Sequence, residues 1–360
     1  MLKLDQIESL HIELSSRCQA SCPLCKRNMY GYYERPDFEK TDLTLKKIKT
    51  IFDNVDLNIK EIIYNGNFGD PCINPELAEI TEYFYNKFPT IKSISVSTNG
   101  GMHKPEWWAN LGKKFPKGKL CIDFCIDGLE DTNQLYRIGV PFKKAMENAK
   151  AFMAAGGMAN WRFVVFKHNQ HQIGEARKLS KESGFCFFIL NDQGRDDGYV
   201  KTGENQGYWI EPADYKNRPD RVVLPENKNG DHIEYDNFLT KVGRQEAFSK
   251  EKSWIQSKSL NCEQHLLRKM VYINSVGELY PCCYLGFNPK TYELKNYNLQ
   301  LKNILKDYNN NLLEVDWTTA IEWFNVIEEG WKKNSVKDGM IAGCIMCCHN
   351  KRPYLDVTKN

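Results

Sequence analysis

The sequence predicts an α/β protein, a partial (β/α)6 barrel followed by a smaller C-terminal domain. From about residue 8 to 190, strand-like and helix-like segments alternate, with turn residues between them. Repeated β–α units imply a parallel sheet with right-handed crossovers. Six strands fit a partial barrel better than a closed barrel of eight, and an open doubly wound sheet is the alternative. The chain has 360 residues, 41% of them hydrophobic, which is enough for both parts.

Six segments are predicted to be strands, and the first and fourth show the alternation that is typical of strands with one apolar face. In the clearest one, which begins at Leu120, the even-numbered residues are apolar. The other face carries Cys121, Asp123, Cys125 and Asp127, and it would point into a lumen that holds something polar. The predicted strands cover residues 10–14, 59–64, 91–97, 120–127, 161–167 and 185–190.

Five helices are predicted between these strands. Thr41 and Asp42 can cap the first, whose apolar face runs over 45–55. Proline at the first helical position marks the second and third, which start at Pro75 and Pro105. The last two are predicted over 141–155 and 172–183, and a glycine follows each.

Residues 191 to about 255 break the pattern with a polar, turn-rich stretch that contains several prolines. We interpret this stretch as a connection or a cover over the site, with room for a helix over 235–248. The predicted domains are therefore the barrel over 1–195, the connecting segment over 196–255 and the C-terminal domain over 256–360.

Composition excludes several classes of protein. The net charge is +3 without a basic block, which argues against a nucleic-acid partner. The N-terminal residues lack the apolar stretch of a signal peptide, and no apolar run approaches the length of a membrane span. We therefore expect a cytoplasmic protein, in which thirteen cysteines indicate metal or cluster ligation rather than disulfides.

Three cysteines near the start of the chain indicate the chemistry. Cys18, Cys22 and Cys25 have the spacing C-x3-C-x2-C and follow the first predicted strand, at the edge where active sites of such sheets lie. Three thiolates can hold three irons of a cubane iron–sulfur cluster and leave the fourth iron open to another ligand. A zinc knuckle is the alternative, although no fourth ligand lies nearby.

This spacing resembles the signature of the radical S-adenosylmethionine (SAM) enzymes, which have a TIM-type partial barrel. The resemblance implies that the open iron of a 4Fe-4S cluster chelates SAM. Reductive cleavage of SAM would then yield a 5′-deoxyadenosyl radical that abstracts hydrogen from a substrate. The family usually has an aromatic residue before the last cysteine, where this chain has Leu24.

Further segments resemble the SAM-binding motifs of that family. Gly69, Asp70 and Pro71 lie in a stretch similar to the GxGEP-type motif, which implies that the acid pairs with the SAM ammonium. Ser97 and Asn99 lie in a segment similar to STNG and are candidates for ribose or carboxylate contacts. Taken alone, each stretch is an ordinary turn.

The fourth strand supplies the remaining candidates. Asp127 and Arg137 resemble the family's "DG…R" segment, in which the arginine meets the SAM carboxylate; a solvated helix residue is the alternative for Arg137. Asp123 is the candidate catalytic residue, because an unpaired carboxylate on the inner face is costly to bury without a role. Cys125 is interpreted as a small apolar filler.

A second group of cysteines lies near the C-terminus. The C-x14-G-x4-C arrangement followed by a late C-x2-C resembles the auxiliary-cluster domains called SPASM and Twitch, and six cysteines favour the shorter Twitch type. This resemblance implies a second 4Fe-4S cluster, and structural zinc is the alternative. The predicted ligands are Cys262, Cys282, Cys344 and Cys347, with Cys283 and Cys348 as substitutes.

The sequence therefore predicts a radical SAM oxidoreductase or maturase that modifies a peptide or a small molecule, with net oxidation of the substrate. SAM would be a cosubstrate, and a flavodoxin or ferredoxin would supply low-potential electrons. The rival hypotheses are a non-enzymatic metal-binding scaffold with zinc or iron–sulfur sites, and a radical SAM enzyme that acts on RNA.

Overall fold

An open, mostly parallel nine-stranded sheet forms the centre of the protein, with strand order β12-β11-β1-β4-β5-β6-β7-β8-β13. The edge strands β12 and β13 run antiparallel to their neighbours, and the other neighbouring pairs are parallel. The structure is a computed structural model. It describes residues 2–23, 25, 27–29, 33–34, 39–116, 118–191, 198–202, 206–210, 262, 268–286, 295–333, 338–341, 343–344 and 355–359.

The strands are β1 Ser9–Ile12, β2 Asn28–Met29, β3 Tyr33–Glu34, β4 Glu61–Tyr64, β5 Ser93–Thr98, β6 Leu120–Cys125, β7 Met158–Val164, β8 Phe187–Asn191, β9 Gly198–Thr202, β10 Gln206–Ile210, β11 Met270–Ile273, β12 Leu279–Tyr280 and β13 Leu355–Lys359. The helices are α1 Leu45–Phe52, α2 Leu77–Lys87, α3 Pro105–Lys114, α4 Asn133–Tyr136, α5 Phe142–Ala154, α6 Ile173–Glu182, α7 Cys283–Gly286, α8 Lys295–Ile304, α9 Trp317–Ile321 and α10 Phe324–Trp331. Short 3-10 helices lie at Leu4–Gln6, Pro71–Ile73 and Gln170–Gln172.

The predicted partial barrel is confirmed, because the six predicted strands are β1, β4, β5, β6, β7 and β8 and lie side by side in that order. Residues of neighbouring parallel strands that are in register face the same side of the sheet. On one side the strands carry mainly apolar residues that pack against the helices, and Trp108, Phe124 and Trp161 are buried there. The other side, here called the lumen face, carries the half-buried polar residues, including Asp123.

Two predicted helix starts were wrong. The first helix is capped by Thr44, whose Oγ1 accepts from the Lys47 amide at 3.3 Å, whereas Asp42 accepts from the Ser15 hydroxyl instead. The second begins at Leu77 and not at Pro75. Asn74 explains the delay, because its amide group donates to two carbonyls of other loops and its Oδ1 accepts from the next turn.

The C-terminal region adds strands at both ends of this sheet. Ser9 and Ile12 of β1 are in parallel register with Met270 and Ile273 of β11, and β13 pairs antiparallel with β8. The segment between the barrel and this region contains the antiparallel hairpin β9–β10. The predicted helix over 235–248 lies outside the described residues. Among the described residues, no helix is both long enough and apolar enough to cross a membrane.

Candidate functional site

The loops that follow β1, β4, β5 and β6 meet at one edge of the sheet. The loop over 15–25, here called the cysteine loop, follows β1 and carries Cys18, Cys22 and Cys25. The loop over 66–71, here called the glycine loop, follows β4 and lies against it, with the Asp70 amide donating to the Arg17 carbonyl at 2.9 Å. Because parallel strands end at the same edge, the predicted SAM motifs and the cysteines meet there.

Arg27 holds the cysteine loop in shape from within. Its Nη1 donates to the Cys18 carbonyl at 2.6 Å and its Nη2 to the Ala20 carbonyl at 3.0 Å. The Cys25 amide donates to the Cys22 carbonyl at 3.1 Å, which closes a turn between these two cysteines. Cys22 is buried, whereas Cys18 and Cys25 are half-buried, so the trio lies at the surface of the core.

Nitrogen donors surround the cysteine sulfurs. Asn99 Nδ2 lies 3.5 Å from Cys18 Sγ, the Ala20 amide 3.4 Å from the same sulfur, and Arg137 Nη1 3.9 Å from Cys22 Sγ. Burial, followed by the charge of Asp70, raises the pKa of the Cys18 thiol to about 12. A bound metal ion deprotonates such a thiol, and nitrogen donors then stabilise the charge that stays on sulfur. The donor set therefore fits a thiolate-ligated metal group.

Two glycines allow close backbone contacts in the glycine loop. A Cβ at Gly69 would lie 2.0 Å from the Ser15 carbonyl oxygen, and one at Gly66 would lie 2.3 Å from the Gly69 carbonyl oxygen. Gly69 therefore allows the contact between the two loops, whereas Gly66 allows the glycine loop to fold closely on itself. Direct approach of their backbone to SAM, which the resemblance implies, stays a prediction.

Glu13 anchors the glycine loop and was missed in the sequence analysis. It is fully buried, and its Oε1 accepts from the amides of Phe68 at 2.6 Å and Gly69 at 3.3 Å. Its Oε2 accepts from the Tyr272 hydroxyl at 3.1 Å, which ties the loop to β11. Burial raises the pKa of Glu13. The sequence gives one indication of this role, because Glu13 alternates with apolar residues on the same face of the first strand as His11.

Asp70 points into the protein. Its carboxylate accepts from the Thr98 hydroxyl at 2.9 Å, from the Asn99 amide at 2.8 Å and from the Cys72 amide at 3.0 Å. Burial raises its pKa. Pro71 follows in the first turn of a 3-10 helix that Asp70 caps. The predicted pairing of Asp70 with the SAM ammonium stays a prediction, and its oxygens already join the glycine loop to β5.

Asn99 links three parts of the site. Its Oδ1 accepts from Gln19 Nε2 at 2.6 Å and from the Gly101 amide at 2.8 Å, while its Nδ2 faces the sulfur of Cys18. Ser97 is half-buried and lies two residues earlier on the lumen face, in register with Asp123. The structure thus brings Asn99 to the cysteines and places Ser97 below them.

Asp127 and Arg137 form a buried ion pair next to the cysteines. Arg137 Nε donates to Asp127 Oδ2 at 2.6 Å, and the carboxylate is fully buried. Asp127 Oδ1 also accepts from the Val164 amide at 2.7 Å, so the carboxylate is fixed by β7 and in turn orients the guanidinium. Arg137 then reaches Cys22, and it is not a solvated helix residue.

Asp123 lies further down the lumen face. Its Oδ1 accepts from Asn160 Nδ2 at 2.8 Å, and its Oδ2 is 3.4 Å from Arg162 Nη1. Burial is the main cause that raises its pKa, and the charge of Arg162 opposes the shift. Its role as a catalytic residue stays a prediction.

Three of the four predicted auxiliary ligands lie among the described residues, and all three are buried: Cys262, Cys282 and Cys344. Cys347 and the substitute Cys348 lie outside the described residues. Gly277, with φ of +91°, makes the turn between β11 and β12 that leads to Cys282. Asn67 of the glycine loop donates to the Cys283 carbonyl at 2.8 Å, which connects the two cysteine regions.

Within the described part of the chain, no group of three or more His, Cys, Asp or Glu side chains is arranged to hold a single metal ion. A cubane cluster is held differently, because each thiolate binds a separate iron.

No family model matches the chain. The GTP 3′,8-cyclase of Clostridium acetobutylicum is 32% identical over 95 residues, which are 26% of this chain and 28% of that protein. The match therefore spans little more than a quarter of the length of this relative.

Solved structures with bound AdoMet resemble the chain. anSMEcpe with bound AdoMet and the Cp18Cys peptide has a TM-score of 0.50 at 17% identity, over 94% of this chain and 87% of that chain. This likeness shows that the two proteins share a fold. SuiB of Streptococcus suis bound to S-adenosylmethionine has a TM-score of 0.43 at 16% identity, over 77% of this chain and 60% of SuiB. That score is too low to support an inference.

Proposed function

We propose that the chain is a radical SAM enzyme. The observation that carries the proposal is the meeting of the C-x3-C-x2-C cysteine loop with the loops after β4, β5 and β6 at one edge of a partial barrel. The motifs and their order resemble that family, and an AdoMet-bound protein, anSMEcpe, shares the fold.

In this proposal Cys18, Cys22 and Cys25 hold three irons of a 4Fe-4S cluster. When bound, the cluster and SAM supply reductive cleavage of SAM to a 5′-deoxyadenosyl radical, which abstracts hydrogen from the substrate. Asn99 and Arg137 would fix and stabilise two of the three thiolates, because their nitrogen atoms lie next to the sulfurs.

The predicted SAM-binding residues have two tasks in this proposal. Asn99 and Arg137 at the edge of the sheet, and Ser97 below them on the lumen face, would contact the ribose and carboxylate groups of SAM. Asp70, Asp127 and the glycines would hold the loops that carry these contacts. The two carboxylates already accept hydrogen bonds from neighbouring segments, and neighbouring backbone atoms fill the space beside the glycines.

We also propose a second cluster held by Cys262, Cys282, Cys344 and Cys347. The C-x14-G-x4-C pattern with a late C-x2-C supports this ligand set, and the first three of these cysteines are buried away from solvent. Such a cluster would accept the electron of the product radical, which suits net oxidation with SAM as a cosubstrate. The hydrogen bond from Asn67 to the Cys283 carbonyl would hold this region against the SAM-binding edge.

The proposed substrate is a peptide or a small molecule, with a flavodoxin or ferredoxin as the electron donor in the cytoplasm. anSMEcpe binds the Cp18Cys peptide, which is the reason to test peptides alongside small molecules.

Anaerobic purification and iron reconstitution test the proposal. The protein should be brown, hold roughly eight irons and release 5′-deoxyadenosine from SAM with a strong reductant. Replacing Cys18, Cys22 and Cys25 together by alanine should abolish this release. Cys344→Ala should keep it, lose about four irons and block product formation.

Cys186→Ala is the matched control, because Cys186 is a half-buried cysteine outside both motifs. It should keep both the iron and the cleavage. A colourless protein that holds zinc, or a brown protein that does not cleave SAM, contradicts the proposed function; the first result favours a metal-binding scaffold.

A further inference from the structure

A polar cluster lies on the lumen face below the cysteines. Ser97, Asp123 and Asn160 are in register on β5, β6 and β7. Arg162 of β7 is in register with Cys125, one step nearer the edge where the strands end. These side chains therefore share one face and lie directly beneath the proposed SAM-binding loops.

Arg162 keeps most of its hydrogen-bonding capacity. Its one hydrogen-bond partner among the described residues is Asp123, and the distance of 3.4 Å is longer than the roughly 2.8 Å of a strong charge-assisted bond. The Arg162 side chain is 29% exposed. A guanidinium carries five N–H donors in one plane, so the donors that do not face Asp123 can bind a ligand.

Asn160 supplies a second, independent observation. It is 9% exposed, and its Nδ2 donates to Asp123 Oδ1 at 2.8 Å and to Cys121 Sγ at 3.3 Å. Its Oδ1 is buried, and no described residue donates a hydrogen bond to it. An unsatisfied buried acceptor is destabilising, so this oxygen points to a donor beyond the described residues, on a ligand or a water.

Arg162 is the cationic side chain of this cluster, and it is the group that an anionic ligand would meet. Burial raises the pKa of Asp123 and that of the Cys121 thiol, the latter to about 12. Burial also raises the pKa of Cys125 to about 11. Both thiols are therefore neutral near pH 7, and the charged partner that this cluster offers Arg162 is Asp123, at 3.4 Å.

We infer that Arg162, positioned by Asp123 and Asn160, binds an oxyanion group of the substrate, either a carboxylate or a phosphate. The fork of Arg162 takes two oxygens of this group, and a donor on the substrate or a bridging water reaches Asn160 Oδ1. The inference rests on the proposed function, because it places the substrate in the lumen beneath SAM.

Chemical modification of arginine tests the inference on the full-length protein with its iron reconstituted. Phenylglyoxal reacts with accessible arginine, and peptide mass mapping gives the rate at each position. Succinate and inorganic phosphate are the probes, and succinamide is the neutral control at equal ionic strength. At four times the half-protecting concentration, an oxyanion probe should slow reaction at Arg162 about fivefold. The rate at the exposed Arg268 should not change.

A shift in melting temperature gives a second measurement. Succinate or phosphate should raise Tm in the unmodified protein and in Arg268→Gln, but not in Arg162→Gln. Protection by succinate alone identifies a carboxylate as the group, and protection by phosphate alone identifies a phosphate. The inference is overturned if neither probe protects, if succinamide protects equally, or if Arg162 does not react without a probe.

The proposed function is tested separately, by iron content and SAM cleavage. If these succeed while Arg162 shows no protection, only the substrate inference is lost. Protection of Arg162 in a protein that fails to cleave SAM would instead indicate an anion-binding lumen without radical chemistry.

Discussion

Replacing Gly69 by alanine should force the glycine loop away from the cysteine loop. The added Cβ would lie 2.0 Å from the Ser15 carbonyl oxygen, 2.6 Å from the Ser15 carbonyl carbon and 2.7 Å from the Ser16 carbonyl carbon. Non-bonded heavy atoms pack at about 3.5 Å, so one of the loops must move by about 1 Å or more. All three atoms belong to the backbone, which cannot swing aside as the end of a long side chain can.

This overlap sets the size of two expected effects, a loss of stability and a loss of SAM cleavage. Overpacking in a well-packed site costs about 1–3 kcal/mol, and we expect the free energy of unfolding to fall by that amount. A displacement of about 1 Å near reacting groups costs on the order of 100-fold in rate. SAM cleavage by Gly69→Ala should therefore fall about 100-fold even where the protein is fully folded.

Urea unfolding and 5′-deoxyadenosine release, both without oxygen, measure these effects. Gly174→Ala is the matched control, because no atom of the described part of the chain lies within 4 Å of its added Cβ. Gly174 lies in α6, so this change should stabilise the protein by about 0.5–1 kcal/mol and leave cleavage unchanged. If Gly69→Ala matches the unmodified protein in both measurements, the close contact between the two loops is refuted.

Three further changes test other parts of the site. Asp127→Asn should lower the free energy of unfolding by about 3–5 kcal/mol, because it leaves the buried guanidinium without its counter-charge. Between pH 7 and 4.5, His11 should lower the free energy of unfolding of the unmodified protein by about 2–3 kcal/mol, and His11→Gln should remove this loss. Burial lowers the pKa of His11 from 6.5 to about 4, so below pH 6.5 the unfolded chain binds a proton that the folded chain does not. Asn99→Ala should make the reduction potential of the cluster more negative by about 40 mV, since it removes a donor to Cys18 that contributes about 1 kcal/mol.

Each of these three predictions has a control variant or a result that would contradict it. Glu182→Gln removes a partner from the exposed pair with Lys178 and should cost less than about 0.5 kcal/mol in urea unfolding. An equal loss in Asp127→Asn would show that the Asp127 pair is no stronger than a surface pair. Parallel curves of stability against pH for the His11 variant and the unmodified protein would show that His11 titrates normally. An unchanged potential in an EPR-monitored titration of Asn99→Ala would mean that its amide does not act on the cluster.

The order of strands and the edge that holds the site could be predicted from the sequence, because both follow from local alternation and from the rules of β–α units. The polar face of β6 was predicted in the same way. Local patterns also place Cys18, Asn99 and Arg137 after three different strands, and the parallel sheet brings them together.

Contacts between distant segments could not be predicted. Glu13 obtains its partners from the glycine loop and from Tyr272, and nothing near residue 13 indicates either one. Asp70 was assigned to SAM from its motif, although hydrogen bonds from Thr98 and the Asn99 amide occupy its oxygens. The cap at Asp42 was wrong for a similar reason, since that side chain bonds Ser15 across the cysteine loop.

The placement of β11 and β13 has a consequence for how the chain folds during synthesis. Strands from the last third of the chain lie against both β1 and β8, so these contacts span very long sequence separations and form late. A nascent chain that still lacks β11 and β13 leaves both β1 and β8 as exposed edges of the sheet, and such edges recruit other chains. Fragments that stop before Met270 are therefore expected to aggregate, and a chaperone that binds nascent chains should improve the yield of the whole protein.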